Sequence, residues 1–253
     1  MYPSVRSHAS SFNAKLEGQI PYMYLDVKGL VTTGIGNLID PIDSALDLPF
    51  KYLPKAGPAL SGKPASKDDI TREWHMIKQH KELAAAGARS HKKKDGTIIH
   101  GADTYATMAL DDAGISALFD KSLDKMNAAL AAAFHDFERW PADAQLGLLS
   151  MAWAQGPNFH KWPHFRDACL QQDFASAAEQ SHISNANADR NNANLQLFLN
   201  ASVVAADNTS YNRAILYYPQ ALVPLPGVSK PPTAGAKPKT AKPAAAAKPV
   251  SSW

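Results

Sequence analysis

The sequence predicts an α+β fold, with a small β-hairpin lobe near the N-terminus and a larger helical lobe after it. Three observations carry this. Residues 22–36 hold two aromatic and β-branched runs, "YMYLDV" and "LVTTGIG", split by a Lys-Gly turn, which is a hairpin pattern. From Asp111 onward apolar residues recur at helical spacing. Residues 229–253, rich in Lys, Pro and Ala, have no apolar periodicity and cannot bury a core. The expected organisation is therefore one domain over 1–228 and a disordered tail over 229–253.

The elements follow in order. "SFNAKLEG", residues 11–18, reads as a short helix that Ser11 caps and Gly18 ends in a left-handed conformation, with Glu17 in its last turn. Pro21 blocks continuation. In the hairpin, Gly34 and Gly36 mark a bend or a close backbone approach. Residues 40–65 are proline-rich loop. Residues 66–88 predict a helix, with Ser66 and Asp69 as a capping box and Ile70, Trp74 and Ile77 on one face. The "HKKKDG" of 91–96 reads as a solvated loop that attracts anionic polymers. Asp111 caps a long helix bearing Ile115, Leu118, Phe119, Leu123, Met126 and Leu130, and Pro141 starts a helix buried over much of its surface. Further helices fit 163–180, 189–201 and 209–217.

Charge and composition exclude several classes. The five lysines of 229–253 leave 21 of the 26 Lys and Arg residues against all 23 acids in residues 1–228. The folded part is therefore not a basic nucleic-acid binder. No run of eighteen apolar residues predicts a membrane helix, and no apolar segment predicts a secretory signal. The lone Cys169 reads as a core residue. His75 and His80 lie five apart and do not share a helix face, and "HKWPH" at 160–164 lacks further ligands. No metal site and no cofactor are expected. Trp153 reads as core, and Trp162 as a packed loop anchor, with sugar stacking as its alternative.

Two acids nine residues apart, Glu17 and Asp26, stand in an apolar, glycine-punctuated setting. Their bland reading is surface decoration around a hairpin. Their chemical reading is a pair for glycosidic hydrolysis, one carboxylic acid protonating the leaving oxygen and one carboxylate activating water. Glu17, at the end of an apolar helix, suits the desolvated acid. Asp26, beside the turn, suits the ionised partner, and the Thr32 hydroxyl lies across the turn to orient a water.

The order Glu17, eight residues, Asp26, five residues, Thr32, within "EG", "PYMYLD" and "TTGIGN", resembles the catalytic region of the phage-type lysozymes, glycoside hydrolase family twenty-four. The resemblance spans about residues 8–40 and 107–202. It implies a lysozyme-like fold, a muramidase acting on peptidoglycan, Glu17, Asp26 and Thr32 as catalytic residues, and Tyr24, Gly34, Asn37 and Gln155 as glycan contacts. It also implies that Arg190, in "DRNNANLQLFLNA", approaches Glu17. The sequence departs from the pattern at Asn37, where the family often has His, and at Ala154, where Asn or Gln is common; Gln155 stands one step on. Region 41–106 is an insertion relative to the family. Expected partners are peptidoglycan and, for a delivered antibacterial effector, an immunity protein or delivery apparatus. No nucleic acid partner and no membrane insertion are expected, and the chain is expected to be a monomer. It is expected to be made in the cytoplasm and to act on the wall in the periplasm of a target cell, as a phage endolysin or a type VI secretion effector. The alternatives are a glycan- or partner-binding module with catalysis lost, and a chitinase- or chitosanase-like glycosidase.

Overall fold

Helix α1 (Pro3–Glu17) opens the chain, starting well before the expected Ser11. Pro3 in its first turn presets a helical φ where no intrahelical hydrogen bond is lost. Val5, Ala9 and Phe12 then give it a buried stripe at helical spacing. Ser11 lies inside the helix rather than at its cap, and its hydroxyl donates back to the His8 carbonyl. The helix ends at Glu17 because Gly18 takes φ 77° and ψ 172°, open to glycine and not the left-handed helical geometry expected.

The chain is seen in a computed structural model that describes residues 1–184 and 186–224. The expected tail over 229–253 and its boundary at 228 lie outside the described residues. Residues Met1–Val223 form one compact unit. It combines many helices with small antiparallel sheets, an α+β architecture.

Strands β1 (Ile20–Leu25), β2 (Val31–Gly34) and β3 (Asn37–Leu38) form an antiparallel sheet in that order. Tyr24 pairs with Thr32 and Leu25 with Val31, and a bulge in β1 follows before Ile20 meets Gly34. Met23 and Leu25 enter the core while Tyr24 lies on the other face, as the period of two requires. The third strand was not expected. It forms because Gly34 and Gly36 both take positive φ, 64° and 67°, and turn the chain back within two residues.

Residues 41–106 contribute β4 (Lys51–Tyr52), α2 (Lys67–Gln79), α3 (Leu83–Ala86), β5 (His91–Lys92) and β6 (Ile98–Ile99). Ser66 caps α2 by accepting from the Asp69 N–H. The helix expected over 66–88 breaks at His80, whose ring stacks on Tyr105 with centroids 4.8 Å apart. The expected loop at 91–96 is the tip of a hairpin, β5 pairing with β6. This region packs against the first sheet. The Tyr22 hydroxyl donates to the Ala88 carbonyl and the Trp74 indole to the Ile39 carbonyl. Strand β7 (Met108–Ala109) closes it by pairing with β4.

The helical lobe comprises α4 (Asp112–Ala133), α5 (Ala142–Gln155), α6 (Pro163–Leu170), α7 (Phe174–Glu179) and α8 (Ala188–Ala206). Asp111, Asp173 and Asn187 cap α4, α7 and α8 through their side-chain oxygens. Helix α5 is the centre: every residue from Ala142 to Ala152 is buried, against α1, α4 and α8. The helix expected over 209–217 is absent. Asp207 accepts from the N–H groups of Thr209 and Ser210, and Asn212 from that of Ala214, so short polar side chains capture the backbone and leave an irregular strap. Among the described residues no helix is long and apolar enough to cross a membrane.

Candidate active site

Glu17 sits where three pieces of the fold meet. From α8, Arg190 Nη2 donates to Glu17 Oε1 at 2.5 Å, and Nη1 donates to Ser150 of α5, at 3.0 Å to the carbonyl and 3.3 Å to Oγ. The Arg190 side chain is 4% exposed and that of Glu17 29%. A cation this buried needs such partners, and Ser150 completes the set that Glu17 begins. Burial pulls the Arg190 guanidinium below its usual range, and the Glu17 charge opposes that. The Asn187 cap accepts from the Arg190 backbone N–H at 2.8 Å, so the same capping bond that starts α8 sets the position of the guanidinium.

The other side of Glu17 is the turn between β2 and β3. A Cβ placed on Gly36 would lie 3.2 Å from Glu17 Cγ, 3.3 Å from its carboxyl carbon and 3.3 Å from the Trp153 Nε1. The Glu17 side chain thus lies on bare backbone, next to an indole. That indole is fixed by donating to the Ile35 carbonyl at 3.2 Å and by stacking on Phe119 at 4.8 Å. The arrangement packs the carboxyl beside the Gly36 backbone and the indole edge and gives it one cationic partner.

Asp26 follows the last residue of β1 and is half-buried. Its Oδ1 accepts from Lys28 N–H at 2.8 Å and Leu30 N–H at 2.9 Å, an Asx turn that fixes the carboxylate. The turn is clamped from behind. Lys78 Nζ donates to the Gly29 carbonyl at 2.8 Å and to Asp40 Oδ2 at 2.5 Å, and the same Asp40 oxygen accepts from Val31 N–H.

Tyr24 lies within electrostatic reach of both acids. Burial, with the charges of Glu17 and Asp26 adding to it, pushes its phenol up to about 12. The charges of both carboxylates thus reach the Tyr24 side chain, which puts the three residues in one neighbourhood. Thr32 is the strand partner of Tyr24, so the two share a sheet face. Thr32 is buried, and its hydroxyl donates to the Leu30 carbonyl at 3.2 Å.

The structure thus brings Glu17, Tyr24, Asp26, Thr32 and Arg190 into one region. The remaining expected contacts behave differently. Asn37 is buried and braces the turn, accepting from Ile35 N–H at 3.0 Å and donating to Ser122 Oγ at 2.9 Å. Gly34 is closed off by the same amide, since a Cβ there would lie 2.9 Å from Asn37 Oδ1. Gln155 is exposed at the end of α5 and makes no side-chain hydrogen bond among the described residues.

Sequence reasoning missed Ser150, Asp40 and Lys78, and assigned Trp153 to the core alone. Ser150 carried a readable signal: a serine inside an otherwise apolar helix must find a buried partner. Asp40 and Lys78 are 38 residues apart and carried none. Cys169 is buried, and burial pushes its thiol up, which keeps it unreactive. Among the described residues no three His, Cys, Asp or Glu side chains converge as metal ligands. No protein-family model matches the chain, and no curated protein matches it.

Proposed function

We propose that this chain is a lysozyme-like glycoside hydrolase that cleaves the β-1,4 bond between N-acetylmuramic acid and N-acetylglucosamine in peptidoglycan. The observation that supports this reading is the seat of Glu17 between the Arg190 guanidinium and the Gly36 turn, with Asp26 fixed by its Asx turn on the same small sheet. Two carboxylates in unlike surroundings on one region are what acid–base glycosidic hydrolysis requires.

In this reading Glu17 protonates the leaving oxygen from its seat between Arg190 and the Gly36 backbone. Asp26, with Oδ1 already held by two backbone N–H groups, uses its other oxygen to activate water. Thr32 and Tyr24 line the face between them. The resemblance implies inversion at the sugar carbon, which needs the two carboxyls roughly 6.5–9.5 Å apart. The biological setting that fits is lysis of a bacterial wall, as a phage endolysin or as a delivered antibacterial effector with a cognate immunity protein.

Glu17→Gln tests the reading. The change is nearly isosteric and removes the transferable proton, so release of reducing ends from purified peptidoglycan falls by ~100- to 10,000-fold. Near wild-type activity in a folded variant removes Glu17 from the role of acid. A second reading, a glycan-binding module without catalysis, draws on Asn37 being committed to the turn and on Ala154. It predicts a wild-type protein that sediments with peptidoglycan and releases nothing. Chitin as a better substrate than peptidoglycan, read by product mass, would shift the assignment to a chitinase-like enzyme.

A further inference from the structure

Residues 1–228 carry a slight excess of acids, yet the segment 89–100, "RSHKKKDGTIIH", holds four Lys and Arg against one acid. The structure turns that segment into the β5–β6 hairpin, with residues 91–98 all exposed. Its single acid is occupied locally: Asp95 accepts from the Thr97 N–H at 2.9 Å. Asp103, at the root, is bound on both oxygens by Ser90. The ammonium groups of Lys92, Lys93 and Lys94 have no ion pair among the described residues. Three free cations are thus displayed at the end of a short, hydrogen-bonded arm.

The root of the arm is fixed beside the candidate site. Arg89 Nη2 donates to the Gln19 carbonyl, two residues after Glu17, and Tyr22 of β1 donates to the Ala88 carbonyl at 3.2 Å. Ala102 N–H donates to the Gly87 carbonyl and Asp103 N–H to that of Ala88, closing the base. A ligand held on the lysines is held on an arm rooted beside the end of α1.

The geometry points to this hairpin as a docking arm for a flexible phosphodiester polymer with a sugar or polyol backbone. The arm offers point charges, which suit spaced phosphates. It carries no Phe, Tyr or Trp between 91 and 99, so it lacks the large rings on which successive bases stack. Its exposed apolar surface centres on Ile98, 56% exposed, far less than the apolar face with which an interfacial element enters a bilayer. This inference does not depend on Glu17 being a catalyst, because it concerns binding alone.

The test is equilibrium binding of the full chain to soluble poly(glycerol phosphate) over 20–200 mM salt, with single-stranded DNA and anionic phospholipid vesicles in parallel. Lys92, Lys93 and Lys94 are changed together to Ser. The same change is made in a full chain whose five tail lysines are also Ser, so that the tail cannot mask the result. Each lost phosphate contact lowers the slope of log affinity against log salt by ~0.7 for a flexible polyanion. The triple change is therefore expected to flatten that slope by about 2 and to weaken low-salt binding at least tenfold, while the three-Lys to three-Arg variant retains both. Unchanged affinity and slope in the tail-neutral chain overturns the proposal. So does arm-dependent binding confined to DNA or to vesicles. Peptidoglycan cleavage by the same proteins is scored separately, so loss of one result leaves the other readable.

Discussion

At the scale of single residues, Gly36 separates conformational strain from contact with the acid. Gly29 and Gly36 have nearly the same positive φ, 72° and 67°, but only Gly36 has neighbours in the way of a side chain. Ala at either position costs about 1–2 kcal/mol from the left-handed backbone. Gly36→Ala also presses on the Glu17 carboxyl and the Trp153 indole, and under the proposed function a small displacement of that carboxyl is expensive in rate. Its cleavage rate is expected to fall roughly 10- to 100-fold below that of Gly29→Ala at matched stability. Equal rates in the two variants, measured by release of reducing ends, would show that Glu17 does not depend on this wall. The string around Glu17 and Asp26 was legible because its residues are close in sequence. What Asn37 does was not, since its partner Ser122 lies 85 residues away. A polar residue in a glycine turn reads equally as a ligand contact and as a brace until its neighbours are known.

At the scale of the element, the hairpin that carries Asp26 is held by the Asp40–Lys78 clamp. The hydrogen bond from Lys78 holds the Asp40 carboxyl below the usual carboxylate range, with burial opposing it. A depressed carboxylate stabilises the fold above its unfolded pKa, near 4, and loses that contribution as pH falls through its folded value. The turn over residues 26–31 is therefore expected to lose amide-exchange protection as pH falls below about 4, ahead of α5. Asp40→Asn should remove this acid step; an identical step in the variant would assign it to another group. The two-strand hairpin was readable from its aromatic and β-branched runs and its glycine placement. The third strand was not, because two residues give no periodicity and their pairing depends on a turn geometry. Helix α2 was readable from its cap and apolar face, whereas the ring of Tyr105 that meets His80 at its end lies 25 residues away in sequence.

At the scale of the molecule, the strap after α8 binds the helical lobe together. Asp143 accepts from Asn200 Nδ2 at 2.9 Å, Tyr217 N–H at 2.9 Å and Tyr218 N–H at 3.0 Å. Ser4 of α1 donates to the Ala214 carbonyl, and Phe12 packs edge-on against Tyr218 at 5.6 Å. Asp143→Ala strands those backbone donors in the interior, which costs about 3 kcal/mol. For a unit of this size the melting temperature should fall by roughly 6–12 °C. A shift under 2 °C, measured by calorimetry, would mean the strap is not held there. The helix expected over 209–217 does not form because Asp and Asn side chains there compete for the backbone. The strap and the ion pair also set an order of events during synthesis. Glu17 and Arg190 are 173 residues apart, and α1 is covered by residues up to Tyr218. A nascent chain still lacking its last helix has its carboxyls but neither the guanidinium nor the cover of α1. Such a chain cannot assemble the site on the ribosome, so the candidate site is completed late in translation, when nearly the whole unit has emerged.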